Sequence, residues 1–339
     1  MRLTESASMY PNGILNMEII PPQLGRGFLD FLRVLIAERL KDKDEGRKVE
    51  ANAKKVGING IYGKMGFRGS WVYYLEGMYK MTLNGQFYII MLVERLLERG
   101  IWVFYSNTDG ITVLCKRSQE QEYYDICKEW EKEVNWELEF VEYEKCIIKD
   151  VNNYIIQKKG GGLKRKGKFL NPDNHLESLK KALFYPVCAK AITNYFIDGK
   201  KVSESLREIY DNGKGIYDFC TAAKVSSDFQ VLHEDITKEM WTPISEKTGK
   251  PLKPRLRVVV NQEETIQNSI RYYVSNTGKR LRKKRVSGAK GVIGRYVEVV
   301  AGFNTHLFND YSEQHPEPNW EYYEDHCYKI IRSFKEVKL

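Results

Sequence analysis

The spacing of apolar and polar positions predicts alternating helices and strands over the first half of the chain. Phe28, Leu32 and Ile36 recur at helical spacing, and a short apolar run stands on each side of Asn107-Thr108-Asp109-Gly110. An earlier segment, Tyr10-Pro11-Asn12-Gly13, has the composition of a turn. The predicted helices are 28–40, 47–58 (ending at Asn59-Gly60), 84–99 and 119–133, and the predicted strands lie within 101–114 and 136–157. This pattern predicts an α+β fold with two helices, joined by a turn at Asp42–Gly46, inserted near its start.

Composition narrows the class of protein. The chain has 339 residues, of which 42% are hydrophobic, so it can form a sizeable core and is not a disordered sequence. No apolar run reaches the ~18–20 residues of a membrane helix, and the first residues lack the apolar core of a signal peptide. The six cysteines stand singly, which indicates neither a zinc site nor a disulfide framework and fits a reducing cytosol. The net charge of +9 suits a polyanionic partner.

The second half of the chain gives weaker signals. A basic, glycine-rich segment from Lys158 to Phe169 predicts a hairpin and a boundary between structural regions. Residues 279–285 carry six cations in seven positions, which fits either phosphate binding or a solubilising loop. Tyr272 and Tyr273 are expected in the core rather than in a base stack. No spacing among the five histidines indicates a metal site.

The turn at Asn107-Thr108-Asp109-Gly110 is the first candidate for chemistry. A carboxylate on a tight turn between two buried strands is held rigidly, and it could fix a divalent metal against phosphate oxygens. The alternative is a plain hairpin turn, since Asp-Gly is a common hairpin sequence.

The first residues hold a second candidate, the sequence Glu5-Ser6-Ala7-Ser8-Met9-Tyr10-Pro11-Asn12. A carboxylate at the end of a strand, followed by backbone N–H groups such as those of Ser8 and Met9, could hold a metal and a triphosphate. The alternative is an exposed terminal segment.

A third candidate lies on the second predicted helix. Lys55, Asn59 and Tyr62 share one face, which suits a phosphate, a sugar and a base. Arg39 and Lys43 lie one turn apart on the preceding helix, so the helix pair could direct all three cations at one polyphosphate. The alternative is a solvated charged face.

In this order the segments resemble the motifs of family B DNA polymerases, most closely those of bacteriophages and other viral or organellar members. The family's D-x-x-S-L-Y-P-S, K-x-x-x-N-S-x-Y-G and D-T-D-S motifs correspond here to ESASMYPN, KVGINGIYG and NTDG. A Thr-x-x-Gly-Gln stretch (Thr82, Gly85 and Gln86) and the basic segment NNYIIQKKGGGLKRKG also fit. The matches cover about residues 1–220. The resemblance implies a right-hand polymerase with an antiparallel palm sheet, a two-helix fingers insertion and a mixed C-terminal thumb. The implied regions are palm 1–26, fingers 27–62, palm 63–169 and thumb 170–339.

The resemblance also implies template-directed DNA synthesis from deoxynucleoside triphosphates by a two-metal mechanism. Asp109 and Glu5 would be the catalytic carboxylates and the ligands of two Mg²⁺ ions, for which Mn²⁺ can substitute. The family has Asp where this chain has Glu5, and Asn107 replaces the first Asp of the third motif. Because octahedral Mg²⁺ is strict about geometry, the longer side chain of Glu5 could support, slow or abolish catalysis.

Further roles follow from the same resemblance. Tyr10 would exclude a 2′-OH, and the implied nucleotide-binding residues are Tyr10, Arg39, Lys43, Lys55, Asn59, Tyr62, Ser8 and Met9. The implied DNA-binding residues are Gly63, Thr108, Asn152, Asn153, Tyr154, Lys164, Lys166 and Lys168. The paired lysines that the family has before the tyrosine are replaced by Asn152 and Asn153.

The resemblance implies that the chain is the C-terminal part of a split or truncated polymerase that lacks the exonuclease. The implied partners are primer–template DNA, dNTP and a separate N-terminal polymerase/exonuclease subunit, with no membrane. The family's exonuclease uses Asp-x-Glu, which this sequence lacks, and its palm draws on strands upstream of the first motif. We therefore expect an exposed sheet edge and apolar surface, covered by that subunit or by self-association. A viral member would act in the host-cell cytoplasm. The alternative function is a catalytically impaired, polymerase-like subunit that binds primer–template DNA and scaffolds a partner.

Overall fold

The structure, a computed structural model, describes residues 2–6, 9–167, 170, 185–212, 215–223, 229–266, 270–285, 297–308 and 315–336. It is a mixed α+β protein with antiparallel sheets, as the sequence predicts. The chain folds into two compact units. Unit 1 is formed mainly by residues 1–145 and 157–162, and unit 2 by residues 146–156 and 163–337.

The described part of unit 1 contains five α-helices besides its strands. They are α1 (Met9–Asn16), α2 (Gly27–Asp44), α3 (Lys48–Met65), α4 (Leu75–Glu98) and α5 (Glu120–Val134). The predicted α2–α3 pair is confirmed. The turn predicted at Tyr10–Gly13 is wrong, because these residues lie in α1. Pro11 is tolerated in the first turn of a helix, where its missing N–H has no intrahelical acceptor, and burial of Met9 and Ile14 against the core stabilises the helix.

Two other predicted helix boundaries are also corrected. Helix α3 does not end at Asn59-Gly60 but continues to Met65. Ile58, Ile61 and Met65 form a buried stripe at helical spacing, and burying such side chains outweighs the cost of about 1 kcal/mol per helical glycine. Helix α4 begins at Leu75, before the predicted start at residue 84.

The sheet of unit 1 positions the first and third motifs beside each other. Its strands include β1 (Arg2–Ser6), β2 (Trp102–Ser106), β3 (Gly110–Leu114) and β4 (Leu138–Asp150), which are neighbours in the order β2-β3-β1-β4. All three pairings are antiparallel, and the predicted hairpin around Asn107–Gly110 is confirmed. Strand β1 therefore lies between the strand that follows the third motif and the start of β4.

The contact between α1 and α4 depends on two glycines. A Cβ at Gly13 would lie 2.3 Å from Sδ of Met81, and a Cβ at Gly85 would lie 2.2 Å from Cε of Met9. The absent side chains allow close approach of the two helices. Gly85 of the Thr-x-x-Gly-Gln stretch thus has a packing role against Met9, whose side chain is 4% exposed.

Unit 2 combines helices with antiparallel sheets. Beyond β4 its elements are β5 (Asn153–Lys158), β6 (Leu163–Lys166), α6 (Pro186–Asp198), α7 (Val202–Asn212), β7 (Thr221–Ala223), β8 (Phe229–Trp241), β9 (Arg255–Ile266), β10 (Ile270–Ser275), β11 (Arg280–Arg285), β12 (Val297–Glu298), β13 (Asn304–Phe308), α8 (Trp320–Ile331) and β14 (Lys335–Glu336). Within the described residues, one sheet has the order β13-β10-β7 and another β12-β11-β8-β9. Tyr272 and Tyr273 are buried in its core, as predicted. In the parts of both units that the structure describes, no helix has the length and hydropathy needed to cross a bilayer.

Candidate functional site

Strand pairing brings the backbone of the two predicted carboxylate positions together. Glu5 of β1 is paired with Gly110 of β3, and Asp109 immediately precedes Gly110. Positions 5 and 109 are thus neighbours across two adjacent strands although they are far apart in the sequence. The Asp109 side chain is half-buried, whereas the Glu5 side chain lies outside the described part of the structure.

The turn that carries Asp109 is held by Asn107. The Asn107 side-chain oxygen accepts a hydrogen bond from the backbone N–H of Asp109 (3.1 Å), and the backbone N–H of Asn107 donates to the carbonyl oxygen of Gly110 (2.9 Å). This is an Asx turn, in which the side chain mimics a backbone acceptor. Asp and Asn supply the same acceptor here, so Asn107 preserves the geometry of the turn where the resembling family has Asp. Thr108 is exposed at the tip.

A ring stack connects the first motif with the second. The rings of Tyr10 on α1 and Tyr62 on α3 are stacked, with centroids 4.0 Å apart and an interplanar angle of 22°. Burial raises the pKa of the Tyr10 hydroxyl, and the nearby Tyr62 and Asp109 raise it further, so Tyr10 is neutral at physiological pH. The Glu5–Gly110 pairing joins the first motif to the third, and this stack joins the first to the second, so all three contribute to one region of unit 1.

Tyr62 is fixed from the opposite side by α4. The Thr82 hydroxyl donates to the carbonyl oxygen of Met78 (2.8 Å). Its oxygen then accepts the hydrogen bond from the Tyr62 hydroxyl (2.6 Å). The sequence associates Thr82 with the polymerase motifs but does not reveal this contact.

Helix α3 extends the site away from the stack. Lys55 and Asn59 lie on the same face as Tyr62 because the helix is continuous from Lys48 to Met65. Both are exposed, as is Gly63 one residue after Tyr62. The predicted face of a cation, an amide and an aromatic ring is therefore present. Of the two predicted backbone contacts on the first motif, Met9 begins α1 and Ser8 lies outside the described residues.

Arg39 and Lys43 lie in a different part of unit 1 from Lys55, Asn59 and Tyr62. Both lie on the face of α2 that carries the buried Phe28 and Leu32. They border a cleft of about 730 Å³, which is formed by α1, α2, α5 and the start of β4. The charged and amide side chains of this cleft are Arg39, Lys43, Lys128, Lys132, Glu131, Glu137, Glu139, Asn12, Asn16 and Asn135. Lys55 does not line it. The structure thus brings Arg39 and Lys43 together but does not bring Lys55 to the same cleft.

An ion-pair cluster that the sequence did not single out joins α2 to α3. The Asp42 carboxylate accepts a hydrogen bond from Nε of Arg47 (2.9 Å), and Nζ of Lys54 lies 2.8 Å from its other oxygen. These contacts from Lys54 and Arg47 hold the pKa of Asp42 below its usual value. Lys54 also contacts Glu38 at 3.0 Å. The cluster fixes the register of the two helices and hence the direction of the Lys55 face.

The described side chains provide fewer ligands than a divalent metal site made of protein groups alone would need. Among the described residues, no group of three or more His, Cys, Asp or Glu side chains could hold a metal ion. Mg²⁺, however, is commonly bound by one or two carboxylates together with substrate phosphates and water. The carboxylate of Asp109, next to the strand partner of position 5, has the chemistry of one such ligand, and Glu5 as a second ligand remains a prediction.

The predicted DNA-contacting residues after β4 lie mainly in unit 2. The Asn153 amide donates to both carboxylate oxygens of Asp150 (2.9 and 3.0 Å), and the backbone N–H of Asn152 donates to the same carboxylate (2.8 Å). These bonds lower the pKa of Asp150, with the Asn153 amide as the largest cause. Tyr154 is buried (6% exposed). The asparagines therefore stabilise the turn between β4 and β5.

The remaining predicted contacts are the lysines of the basic hairpin. On β6, Lys164 is half-buried and Lys166 is exposed, whereas Lys168 lies outside the described residues.

No protein-family model and no curated protein matches this sequence. Among solved structures, the family B DNA polymerase from the hyperthermophilic archaeon Pyrobaculum calidifontis is similar over 100% of this chain, with 14% sequence identity and a TM-score of 0.49. The chain covers 45% of that polymerase, less than half its length. A similarity of this size does not establish a shared activity. The functional case therefore rests on the residues of this chain.

Proposed function

We propose that this protein binds primer–template DNA and a deoxynucleoside triphosphate, and transfers the nucleotide to the primer 3′-OH under the direction of the template. One observation carries the proposal. Three segments that are separate in the sequence meet in unit 1 through the Glu5–Gly110 pairing and the Tyr10–Tyr62 stack. Each segment brings a residue type that nucleotidyl transfer needs: carboxylate, aromatic ring and cation.

In this proposal Asp109 and Glu5 hold Mg²⁺, with Mn²⁺ as a substitute. When bound, the metal ions stabilise charge on the attacking and leaving oxygens. Asn107 keeps the Asp109 turn rigid, so that the carboxylate does not have to be ordered at the moment of reaction. The two motif positions, 5 and 109, are the ones on which activity depends most.

The nucleotide lies along the α3 face in the same proposal. Lys55 binds the triphosphate, Asn59 and Tyr62 face the base pair, and the neutral ring of Tyr10 excludes a ribose 2′-OH. Arg39 and Lys43 remain predicted triphosphate contacts. In the described arrangement they line a cleft without Lys55.

The remaining parts of the proposal concern DNA and a partner. In this proposal residues 170–339 form the thumb, and the lysines of the basic hairpin contact backbone phosphates. Helix α4 has an exposed apolar stripe, which supports the expectation of a covering subunit; its members are Tyr79, Leu83, Phe87, Ile90 and Leu97. The N-terminal polymerase/exonuclease subunit remains a prediction.

A second candidate function, a subunit that binds primer–template DNA without catalysis, is favoured by Glu5. A glutamate at the first carboxylate position moves the charged group by more than an ångström relative to aspartate, a displacement that can cost ~10²-fold in rate. The Asn153 side-chain amide and the backbone N–H of Asn152, both bound to Asp150, also serve a structural role.

Primer extension by the unaltered chain and by Glu5→Asp separates the two candidates. Extension by the unaltered chain with Mg²⁺ supports the polymerase. Extension by Glu5→Asp alone identifies a polymerase site disabled at one carboxylate. Duplex binding without extension by either protein, at several Mg²⁺ and Mn²⁺ concentrations, supports the scaffold function and contradicts the polymerase proposal.

A further inference from the structure

A two-stranded ribbon extends from the four-stranded sheet of unit 2. Strands β8 and β9 pair from Val231–Ile266 to Trp241–Arg255, and a bridge between Ile244 and Pro251 continues the ribbon toward its tip. The neighbouring strand β11 pairs with β8 only as far as Glu234. Beyond this point β8 has β9 as its one strand partner among the described residues. At ~3.3 Å per residue, the stretch from residue 235 to residue 244 is about 30 Å long.

The charge of this ribbon is strongly polarised along its length. The distal half, residues 238–257, contains six Lys and Arg against two Glu. The basal segments, 229–237 and 258–266, contain four Asp and Glu and neither Lys nor Arg. The distal half therefore carries a net charge of +4 and the base −4. The distal half is therefore the part of the ribbon that attracts a polyanion, whereas at the base the buried Glu234 is paired with Arg282 of β11.

Most of the distal cations are available to a ligand. Arg257 is bonded to Glu239 and lies over the Trp241 ring at 5.5 Å. Within the described residues, the other distal cations form no ion pair; they are Lys238, Lys247, Lys250, Lys253 and Arg255. The basic run on β11 differs, because Arg282 there is bonded to the buried Glu234 at 2.6 Å. Part of the positive charge of that run is therefore neutralised within unit 2.

The faces of the ribbon also fit a nucleic-acid groove. Met240 and Leu256 are directly opposite each other, and they are 66% and 64% exposed. Val258 and Val260 share this face at the alternate positions of β9 and are 47% and 41% exposed. A two-stranded ribbon has the width to enter a duplex groove, and apolar side chains in such a groove contact sugars and bases.

We infer that the distal half of the β8–β9 ribbon is a duplex-binding arm, which contacts DNA backbone phosphates through its cations without reading the sequence. The inference deepens the proposed function by assigning duplex contact to a particular element of unit 2. It can be tested without nucleotide or metal, so its failure is distinguishable from failure of the catalytic proposal.

The test is the salt dependence of duplex affinity, measured by fluorescence anisotropy on the full chain. The probe is a labelled DNA duplex of about 20 base pairs, and KCl is varied between about 50 and about 200 mM. Each phosphate contact contributes about 0.9 to the slope of log K against log salt. The triple variant Lys247→Ala, Lys250→Ala, Lys253→Ala should make this negative slope shallower, reducing its magnitude by about 2–3. Over this range the unaltered chain should then lose about 40-fold more affinity than the variant.

A matched triple variant removes the same number of exposed cations elsewhere in unit 2. Lys201→Ala, Lys329→Ala, Arg332→Ala should keep the original slope. Replacing the three ribbon lysines by Arg should also keep it, and far-UV circular dichroism checks that each variant is folded. An equal slope for the ribbon variant and the unaltered chain would overturn the inference, as would no duplex binding by the unaltered chain. Reduced extension by the ribbon variant with an unchanged duplex slope would also overturn the role of the ribbon in duplex binding.

Discussion

The stack of Tyr10 on Tyr62 provides a sharp test of whether the first and second motifs meet as described. We consider Tyr10→Leu, Tyr62→Leu and the double variant. A stacked aromatic pair at 4.0 Å contributes about 0.5–1.5 kcal/mol beyond its buried area. Tyr62→Leu also removes the hydrogen bond to Thr82, which contributes about 1 kcal/mol. We therefore expect the double variant to be destabilised by about 1 kcal/mol less than the sum of the single variants.

Urea unfolding followed by far-UV circular dichroism gives the free energy of unfolding of each protein. A reference cycle pairs Tyr10→Leu with Tyr79→Leu, since Tyr79 is 54% exposed on the outer face of α4. That cycle should be additive within about 0.5 kcal/mol. A Tyr10–Tyr62 coupling no larger than that of the reference pair would refute the contact, and with it the joining of the two motifs.

Three further predictions concern both units. Gly278→Ala should destabilise the protein by at least about 2 kcal/mol, because φ is +94° and a Cβ would lie 2.4 Å from a backbone oxygen. The control is Gly249→Ala, whose Cβ would meet nothing within 4 Å. Thermal unfolding of both variants should show the larger loss of stability for Gly278→Ala. Burial raises the pKa of Cys127 to about 12. At pH 8 a thiol reagent should therefore modify the half-buried Cys115 and spare Cys127 until urea is added. Rapid labelling of Cys127 in the folded protein would contradict its burial. If the polymerase proposal holds, Tyr10→Ala should raise ribonucleotide incorporation relative to deoxynucleotide incorporation, and unchanged discrimination would exclude Tyr10 as the sugar selector.

The local patterns of the sequence were sufficient to predict several elements of unit 1. Apolar runs on both sides of Asn107–Gly110 predicted the hairpin of β2 and β3, and the helical spacing of Phe28 and Leu32 predicted α2. In these segments local propensity and final burial agree, so short-range patterns are informative. The pattern failed at Tyr10–Gly13, where packing of α1 against α4 outweighs a turn-like composition.

The arrangement of the site was only partly predictable because it depends on contacts between distant segments. The helical spacing of Lys55, Asn59 and Tyr62 follows from a local period. The stack with Tyr10 requires the packing of α1 against α3, which no local pattern encodes. In the sequence Asn107 departs from the family motif, and only the structure shows that its side chain closes the turn around Asp109.

The number of cations in a stretch of sequence also does not predict which of them are exposed and unneutralised in the fold. The run at 279–285 is the densest in cations, yet strand pairing places Arg282 against Glu234. The cations of the β8–β9 ribbon are dispersed in the sequence, and they gather only when two strands bring residues 238–241 and 255–258 together. Strand pairing therefore decides which cations meet a carboxylate within the fold.

The most direct test of the central claim is primer extension by Asp109→Asn. The matched control is Asp125→Asn, which alters an exposed carboxylate on α5 that accepts a hydrogen bond from Gln121. Rates are measured with Mg²⁺, and duplex affinity is measured in parallel. We expect Asp109→Asn to lose about 10³-fold or more in extension rate while duplex affinity and the control remain unchanged. Equal extension by Asp109→Asn and the unaltered chain would contradict the assignment of the site.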